Sequence, residues 1–262
     1  MSETPEWWDT RAFAPDHREV IGSWKPASAA YCEEHPREVL KYGEGDRHTM
    51  DLFDAGHGRS PMLFIHGGFW QVPLDKSYFA HMAKGPNALD VPVAVMSYDL
   101  CPNVGIGDIL GQARKAVRVL LERYGQPIVV SGHSAGGQLA ACLLATEASV
   151  KAAYALSGVF DLRGLIGTPL NTALRLDAET AEKLSPLLWT GPQGKTFDAV
   201  VGTQESEGFR KQTAAITRAW SEQGVVTQSH ELQERHHFNI IADLADPNSP
   251  MSQRILEMVN TR

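Results

Sequence analysis

The fold is decided by the stretch IVVSGHSAGGQL at residues 128–139. It starts as an apolar run typical of a buried strand and continues as small residues that suit a helix, with G-x-S-x-G at the junction. We expect Ser134 to lie in a tight strand-to-helix turn, with a strained backbone and a hydroxyl that projects from the sheet. Gly132 and Gly136 flank it because a Cβ at either position would collide with the neighbouring strand or helix. This context predicts that Ser134 is a nucleophile rather than an incidental serine of a glycine-rich turn.

Strand-like and helix-like segments alternate around this turn. Apolar runs of buried-strand type occur at 62–65, 93–96, 128–130, 152–156 and 197–201, and a weaker one occurs at 225–232. Apolar residues at 3/4 spacing predict a helix over 109–124, with Gly125 as its C-cap. The runs 38–42 and 48–53 flank a turn-rich tetrad and predict a hairpin. The alternation predicts an α/β fold, with a mostly parallel central sheet and helices on both of its faces.

The composition is that of an ordinary globular chain. Its 262 residues are 43% apolar and 21% charged, and they contain no repeat or long linker, which predicts a single domain over 1–262. Residues 1–31 form an aromatic-rich N-terminal extension, which we expect to be irregular and to lie over the surface or cover a pocket. Residues 161–190 are interrupted by glycines and prolines, and we expect them to form a small cap over the site.

Charge, hydropathy and cysteine content argue against several function classes. The net charge of -7 disfavours nucleic acid and anionic lipid as partners, and the apolar runs are too short to span a bilayer. The start of the chain lacks the basic and apolar stretches of a signal peptide, and the three cysteines fit reduced thiols, so we expect a cytoplasmic protein. The ten histidines show no metal-ligand spacing, so we expect no metal and no other cofactor.

A second glycine-rich stretch, HGGFW at residues 66–70, follows the first buried strand. Adjacent glycines let the backbone approach a substrate closely and present free amides, here those of Gly68 and Phe69. Together with the amide of Ala135, at the start of the helix, they are predicted to form an oxyanion hole. We interpret His66 as structural, holding the loop by hydrogen bonds, rather than as a base.

The other members of a hydrolytic triad should follow Ser134 in the order acid, then histidine. Glu205 follows the fifth apolar run and a glycine turn, 71 residues after the serine, and is the predicted acid. Asp198 is the alternative, although it lies within the strand and would face a helix layer. The last predicted strand leads into His236 and His237, one of which we expect to be the base. Chemistry alone does not choose between the two histidines.

These residues carry a family resemblance. GHSAGGQL at 132–139 is similar to the α/β-hydrolases, and HGGFW at 66–70 resembles the kynurenine formamidase branch, which has HGG, one residue and then Trp. The likeness runs from about Tyr42 to Asp246 and includes YDLCP at 98–102, LSP at 184–186, FRKQ at 209–212 and HF at 237–238. It implies an α/β-hydrolase fold.

Carried over residue by residue, the resemblance implies that Ser134 is the nucleophile, Glu205 the acid and His237, the histidine before phenylalanine, the base. It therefore selects His237 over His236. One departure is that animal formamidases of this type have Asp where Glu205 stands. Since Glu serves as the acid in many hydrolases of this fold, we expect the chemistry to be kept and the histidine to be held differently.

The predicted function is that of a serine hydrolase that cleaves a small acyl amide or ester through an acyl-enzyme. The resemblance implies that N-formyl-L-kynurenine is the substrate and that formate and kynurenine are the products. A formyl group needs a tight acyl side and an aryl leaving group a wide aromatic side, so we expect Trp70, His133 and Phe238 to contact substrate. Trp70 has the core as its alternative location.

Two other functions stay open on the sequence alone. The nearer is a short-chain carboxylesterase that uses the same residues, and the more distant is a non-catalytic binding protein of the same fold. In each case the expected partner is a small molecule, and a homodimer is an open question.

Overall fold

Eight strands form one sheet in the residues that the computed structural model describes, 5–56 and 58–261. They are β1 (Glu38–Lys41), β2 (Thr49–Phe53), β3 (Met62–Ile65), β4 (Val93–Met96), β5 (Ile128–His133), β6 (Val150–Leu156), β7 (Thr196–Gly202) and β8 (Val226–Leu232). Their order across the sheet is β1-β2-β4-β3-β5-β6-β7-β8. β2 pairs antiparallel with β1 and β4, and the other pairings are parallel. The predicted hairpin and the mostly parallel sheet are confirmed.

Helices connect the strands and cover both faces of the sheet. The α-helices are α1 (His17–Glu34), α2 (Lys84–Ala88), α3 (Ile106–Tyr124), α4 (Ala135–Thr146), α5 (Asn171–Leu174), α6 (Ala178–Lys183), α7 (Glu207–Ser221) and α8 (Pro250–Asn260). Short 3-10 helices lie at Pro5–Trp8, Thr10–Phe13, Lys76–Tyr78, Ala80–Ala83, Leu162–Leu165, Pro186–Leu188 and Ile240–Ala245. The predicted helix is α3, which ends at Gly125 with a left-handed φ of 62°, as expected of a C-cap glycine.

The core lies in two layers, one on each face of the sheet. On β3, Leu63 and Ile65 pack with α3, α4 and α7, whereas Met62 and Phe64 pack on the other face with α1 and α8. All four side chains are completely buried. Because successive strand residues point to opposite faces, a strand covered on both sides must be apolar at every position. This explains the continuous apolar runs of the sequence.

The N-terminal extension differs from its prediction, because α1 occupies its second half, from His17 onward. Trp24, Ser28 and Tyr31 are buried along one side of α1 at the four- and three-residue spacing of a helix. This pattern escaped the sequence analysis because the buried stripe is narrow and because Pro26, an unfavourable residue in a helix interior, lies within it. Residues 1–4 of the extension lie outside the described residues.

The insertion at 161–190 connects β6 to β7 and contains α5, α6 and two 3-10 helices. Two side-chain hydrogen bonds attach it to the glycine-rich stretches after β5 and β3. The side-chain amide of Gln138, on α4, donates to the carbonyl of Leu184 (2.9 Å), and that of Gln71 donates to the carbonyl of Leu170 (3.3 Å). Across the described ranges, no helix is both long and apolar enough to cross a membrane.

Candidate active site

Ser134 lies at the turn between β5 and α4, where the sequence predicts it. Its φ of 56° and ψ of -117° fall in a region that residues with side chains rarely adopt, so the backbone is strained. Its amide donates to the carbonyl of Leu156 on β6 (2.8 Å), which fixes the turn to the sheet. A Cβ on Gly132 would overlap the carbonyl group of Gly136, and a Cβ on Gly136 would overlap the carbonyl group of Ile65. Glycine is required at both positions because backbone already fills the space.

The structure brings Ser134, Glu205 and His237 into one hydrogen-bonded chain. His237 Nε2 lies 3.0 Å from Ser134 Oγ, and His237 Nδ1 lies 2.7 Å from Glu205 Oε2. All three residues are buried. Since a carboxylate oxygen only accepts, Nδ1 carries the proton of the neutral imidazole, which leaves Nε2 free to accept the serine proton. The arrangement can therefore convert the hydroxyl into a nucleophile.

The carboxylate of Glu205 is held by groups that the sequence analysis did not identify. Its Oε1 accepts hydrogen bonds from the amide of Gly202 (2.8 Å) and from the hydroxyl of Ser157 (2.5 Å). Ser157 directly follows β6, and its own amide donates to the carbonyl of Val200 (2.8 Å). One carboxylate oxygen is thus anchored to the fold while the other meets the histidine. The position of Ser157 in the sequence could have indicated this role, because a serine that follows a parallel strand lies at the same carboxyl end of the sheet as Ser134.

Asp198, the alternative acid, has a different partner. It lies on β7, and its carboxylate Oδ2 accepts from the Nε of Arg254 on α8 (2.7 Å). Burial raises the pKa of Asp198, and the neighbouring arginine opposes that shift. The pair fastens α8 to the sheet, which is the helix-facing role that a strand-interior position favours.

The loop after β3 has an unusual backbone. The three residues at 68–70 have φ values of 111°, 46° and 58°, a run of left-handed conformations that turns the chain sharply. Gly67, directly before them, lies against the nucleophile, since a Cβ at this position would be 3.0 Å from the Cβ of Ser134. The glycine-rich stretch therefore brings its backbone beside the serine, as the sequence predicts.

Three backbone amides are available at this place. Within the described residues, the amides of Gly68 and Phe69 make no hydrogen bond to the backbone. Ala135 is the first residue of α4, so its amide has no acceptor inside the helix. Free amides at a helix start and in a left-handed loop can bind an anion. Their assignment as an oxyanion hole stays a prediction.

His66 and Trp70, at the two ends of this loop, are packing residues. His66 Nδ1 lies 2.7 Å from the carbonyl of Gly67, and the ring is stacked between Tyr98 (4.2 Å) and Phe79 (5.4 Å). Burial lowers the pKa of His66 to about 4, so the imidazole is neutral near pH 7. This agrees with the structural interpretation. Trp70 has no exposed surface and packs in the core, and its contact with substrate stays a prediction.

The histidine loop, residues 235–239, separates its two histidines. His236 Nδ1 accepts from two backbone amides of the loop (3.2 and 3.3 Å), and its Nε2 lies 2.8 Å from the carboxylate of Asp16. His236 therefore shapes the loop, and its ring is directed at the N-terminal segment. The structure places His237, and not its neighbour, beside Ser134.

Phe238 and His133 border His237 in different ways. The half-buried ring of Phe238 lies 5.4 Å from that of His237 and 6.3 Å from that of Trp24, on α1, so its contact with substrate stays a prediction. His133 is only 3% exposed, and its Nε2 lies 2.7 Å from the backbone carbonyl of His237. The structure therefore places His133 beneath the histidine loop, and its contact with substrate stays a prediction.

A cavity of about 440 Å³ opens between the start of α3 and the insertion. Its lining includes Asn103, Gly107, Arg175 and Lys183. No residue of the hydrogen-bonded chain at Ser134 contributes to this lining. The cavity therefore lies near the site, at the carboxyl ends of the strands, but it is not the place where the serine acts.

Comparison with known proteins agrees with this geometry. The model described as the alpha/beta hydrolase family matches residues 62–253, a range that includes the nucleophile turn, the loop after β3 and the histidine loop. The chain belongs to this family. The resemblance seen in the sequence, and the fold class that it implies, are confirmed.

Relatives of this alpha/beta hydrolase include kynurenine formamidases. It is 28% identical to that of Salmo salar, with 84% of this chain and 81% of the relative covered, and 27% identical to that of Danio rerio, with 99% and 94% covered. The crystal structure of a provisionally assigned thioesterase from Silicibacter sp. superposes with a TM-score of 0.89 at 31% identity, covering 98% of this chain and 100% of the other. This alpha/beta hydrolase is an enzyme similar to the arylformamidases.

Proposed function

We propose that this alpha/beta hydrolase cleaves the formamide of N-formyl-L-kynurenine, releasing formate and L-kynurenine, through a covalent formyl-enzyme on Ser134. The observation that carries the chemistry is the chain from Ser134 through His237 to Glu205, with contacts of 3.0 and 2.7 Å. The similarity to kynurenine formamidases over 84% and 99% of this chain supports the substrate. The fold alone would not support a particular substrate, because enzymes of one fold act on many different substrates.

Acylation follows from the positions of these atoms. Ser134 Oγ attacks the formyl carbon while His237 Nε2 takes the hydroxyl proton, and Glu205 stabilises the imidazolium that results. The carbonyl oxygen becomes an oxyanion, which we expect the amides of Gly68, Phe69 and Ala135 to bind. The imidazolium then returns the proton to the aryl nitrogen, so the C–N bond breaks and kynurenine leaves as a neutral amine.

Deacylation repeats these steps with water. His237 Nε2 takes a proton from water, whose oxygen attacks the formyl ester, and the same three amides bind the second oxyanion. The proton returns to Ser134 Oγ, the ester bond breaks, and formate leaves. Each of the two stages is a simpler displacement than direct attack of water on the amide.

The second candidate is a hydrolase of esters or thioesters. The observation that favours it is the 0.89 TM-score with the provisionally assigned thioesterase, at 31% identity over 98% of this chain. The same three residues would act, and the leaving group would be an alcohol or a thiol, which departs more easily than an amine. Turnover of an activated ester alone therefore does not separate the two functions.

The test compares kcat/KM for N-formyl-L-kynurenine and for p-nitrophenyl acetate. We expect at least a hundredfold preference for the formamide, which corresponds to about 2.7 kcal/mol of transition-state discrimination. Ser134→Ala should lose turnover of both compounds. Ser131→Ala is the matched control, because the hydroxyl of this buried serine of β5 has no partner among the described residues, so the variant should keep activity. Turnover of the ester alone would contradict the formamidase proposal and leave the nucleophile assignment standing.

The proposal also covers location and assembly. We expect a cytoplasmic enzyme acting on a small molecule, and cell fractionation tests the location. Sedimentation of the purified enzyme decides between a monomer and the homodimer that the sequence leaves open.

A further inference from the structure

His133, the last residue of β5, links two parts of the site that are distant in the chain. Its Nε2 lies 2.7 Å from the backbone carbonyl of His237, which is 104 residues away. A carbonyl oxygen only accepts hydrogen bonds, so Nε2 must carry a proton and donate it. The two imidazole rings lie 4.8 Å apart, so the bond spans the short distance between the nucleophile turn and the base.

The state of the ring follows from its surroundings. Burial lowers the pKa of His133 well below its ordinary value, and the neighbouring His237 lowers it further. The ring is therefore neutral with a single proton, which is committed to the carbonyl of His237. Its Nδ1 is buried without a partner in the described part of the chain and lies against Gly67, where a Cβ would be 2.9 Å away. The position of the ring thus depends on that one hydrogen bond and on packing.

The same geometry argues against two other roles for His133. A hydrogen bond to substrate needs a free donor, and the one donor of the neutral ring is already used by the carbonyl of His237. A base for the serine needs a ring nitrogen near Ser134 Oγ, and that place is taken by His237 Nε2 at 3.0 Å.

The histidine loop has few other attachments to the centre of the sheet. It follows β8, the edge strand, whose residues are mostly exposed. The other backbone hydrogen bonds of the loop are made within it, to neighbouring residues of the chain, or to the turn between β7 and Glu205. In that turn the amide of Gln204 donates to the carbonyl of Arg235 (3.0 Å). Among the described residues, the bond from His133 is therefore the one hydrogen bond that joins the nucleophile turn to the backbone of the base.

We propose that His133 is a positioning residue, whose Nε2–H hydrogen bond to the carbonyl of His237 sets the distance between the catalytic imidazole and Ser134 Oγ. The inference rests on the proposed roles of Ser134 and His237 but not on the identity of the substrate. A misplacement of about 1 Å between reacting groups can lower a rate by about a hundredfold. Loss of this bond should therefore reduce the rate of the chemical step more than it weakens substrate binding.

The test uses two side chains of nearly equal shape at this position. His133→Gln retains an N–H donor, whereas His133→Met has none. We expect His133→Met to lower kcat by about ten- to a hundredfold with KM within twofold of the wild type. The kcat of His133→Gln should be at least fivefold higher than that of His133→Met. Equal kcat values for the two variants would overturn the proposal, and so would a rise in KM with kcat unchanged.

A second measurement makes the result independent of the substrate. The rate at which a fluorophosphonate labels Ser134 measures how strongly the nucleophile is activated in the folded protein. We expect this labelling rate to be highest for the wild type, lower for His133→Gln and lowest for His133→Met. If the wild-type enzyme is labelled but does not hydrolyse formylkynurenine, the substrate proposal fails while this one is still tested. If His133→Met does not fold, His133→Asn replaces it, because its amide is too short to reach the carbonyl and its labelling rate should fall below that of His133→Gln. Equal labelling of His133→Asn and His133→Gln would then overturn the proposal.

Discussion

The nucleophile turn and the histidine loop meet at two hydrogen bonds, from Ser134 to His237 and from His133 to the carbonyl of His237, yet they are built in different ways. The turn depends on residues close in sequence, because Gly132 and Gly136 provide the room that its backbone needs. The histidine loop depends on distant ones. Its His237 is held by Glu205, 32 residues away, and by His133, 104 residues away.

Position in the sheet explains this difference. β5 carries the nucleophile and has a parallel neighbour on each side, whereas β8 leads into the histidine loop from the edge. A central strand is fixed by its ladder, so the turn after it needs only the right local residues. A loop after an edge strand must be fixed by side chains from other elements. The comparison shows that local sequence makes the nucleophile and that tertiary contacts orient the base.

The largest expected effect lies on the histidine side. Glu205→Gln should lower kcat by about ten-thousandfold, because an amide does not stabilise the imidazolium and can favour the wrong tautomer of His237. Steady-state kinetics of the purified variant measures it. Glu207→Gln, two residues further on an exposed surface, is the control and should be near wild type. A Glu205→Gln enzyme within tenfold of wild type would mean that other contacts orient the base.

On the nucleophile side, Gly136→Ala should destabilise the fold by about 3 kcal/mol or more, because the added Cβ overlaps the backbone of Ile65. Gly111→Ala, in the middle of α3 with nothing near its Cβ, should instead stabilise by about 1 kcal/mol. Chemical denaturation measures both variants. Equal stability of the two would contradict the account of the turn as sterically determined.

A substitution in the N-terminal segment tests how far the support of the base extends. The ring of Trp8 packs against Phe209 (5.5 Å), which in turn contacts His237 (4.6 Å). Trp8→Ala should cost about 3 kcal/mol of unfolding free energy and lower kcat more than it changes KM. Trp7→Ala, whose half-buried ring lies near Lys211 instead, should cost less. An unchanged kcat in Trp8→Ala would confine the support of the base to nearer residues.

The smallest effect is the response of stability to acid. The pKa of His66 is lowered from 6.5 to about 4 by burial, so the unfolded chain binds a proton that the folded chain does not. Stability should therefore fall as the pH drops from about 6.5 towards 4, by about 2 kcal/mol between pH 7 and pH 5 from this residue. Urea denaturation at the two pH values measures it. His66→Gln should reduce the difference, and His230→Gln, at an exposed position, should leave it unchanged.

The sequence was informative where a role depends on neighbouring residues. G-x-S-x-G located Ser134, and the glycine pair after β3 located the loop beside it. Glu205 was identified because a carboxylate after a strand and a glycine turn lies at the reactive edge of a parallel sheet. The structure brings these residues together. The apolar runs also predicted the sheet, because burial on both faces requires apolar residues throughout a strand.

The sequence failed where a role depends on what the chain packs against. The helix α1 was read as irregular because its buried stripe is narrow, and its stability comes from packing against residues such as Phe79, 5.1 Å from Trp24. Ser157 was missed because nothing near it in the chain indicates the carboxylate that it binds. The bond from His133 to the carbonyl of His237 was missed because the two residues are 104 positions apart in the chain.

The sequence by itself determined the strand-to-helix turn, the order of the elements and the chemical groups that reach the edge of the sheet. These follow from local sterics and from the spacing of apolar residues. The tertiary structure alone decided which residues hold Glu205, what the backbone of His237 binds, and where the N-terminal segment packs. Such choices depend on distances between residues far apart in the chain, and no local pattern of side chains contains those distances.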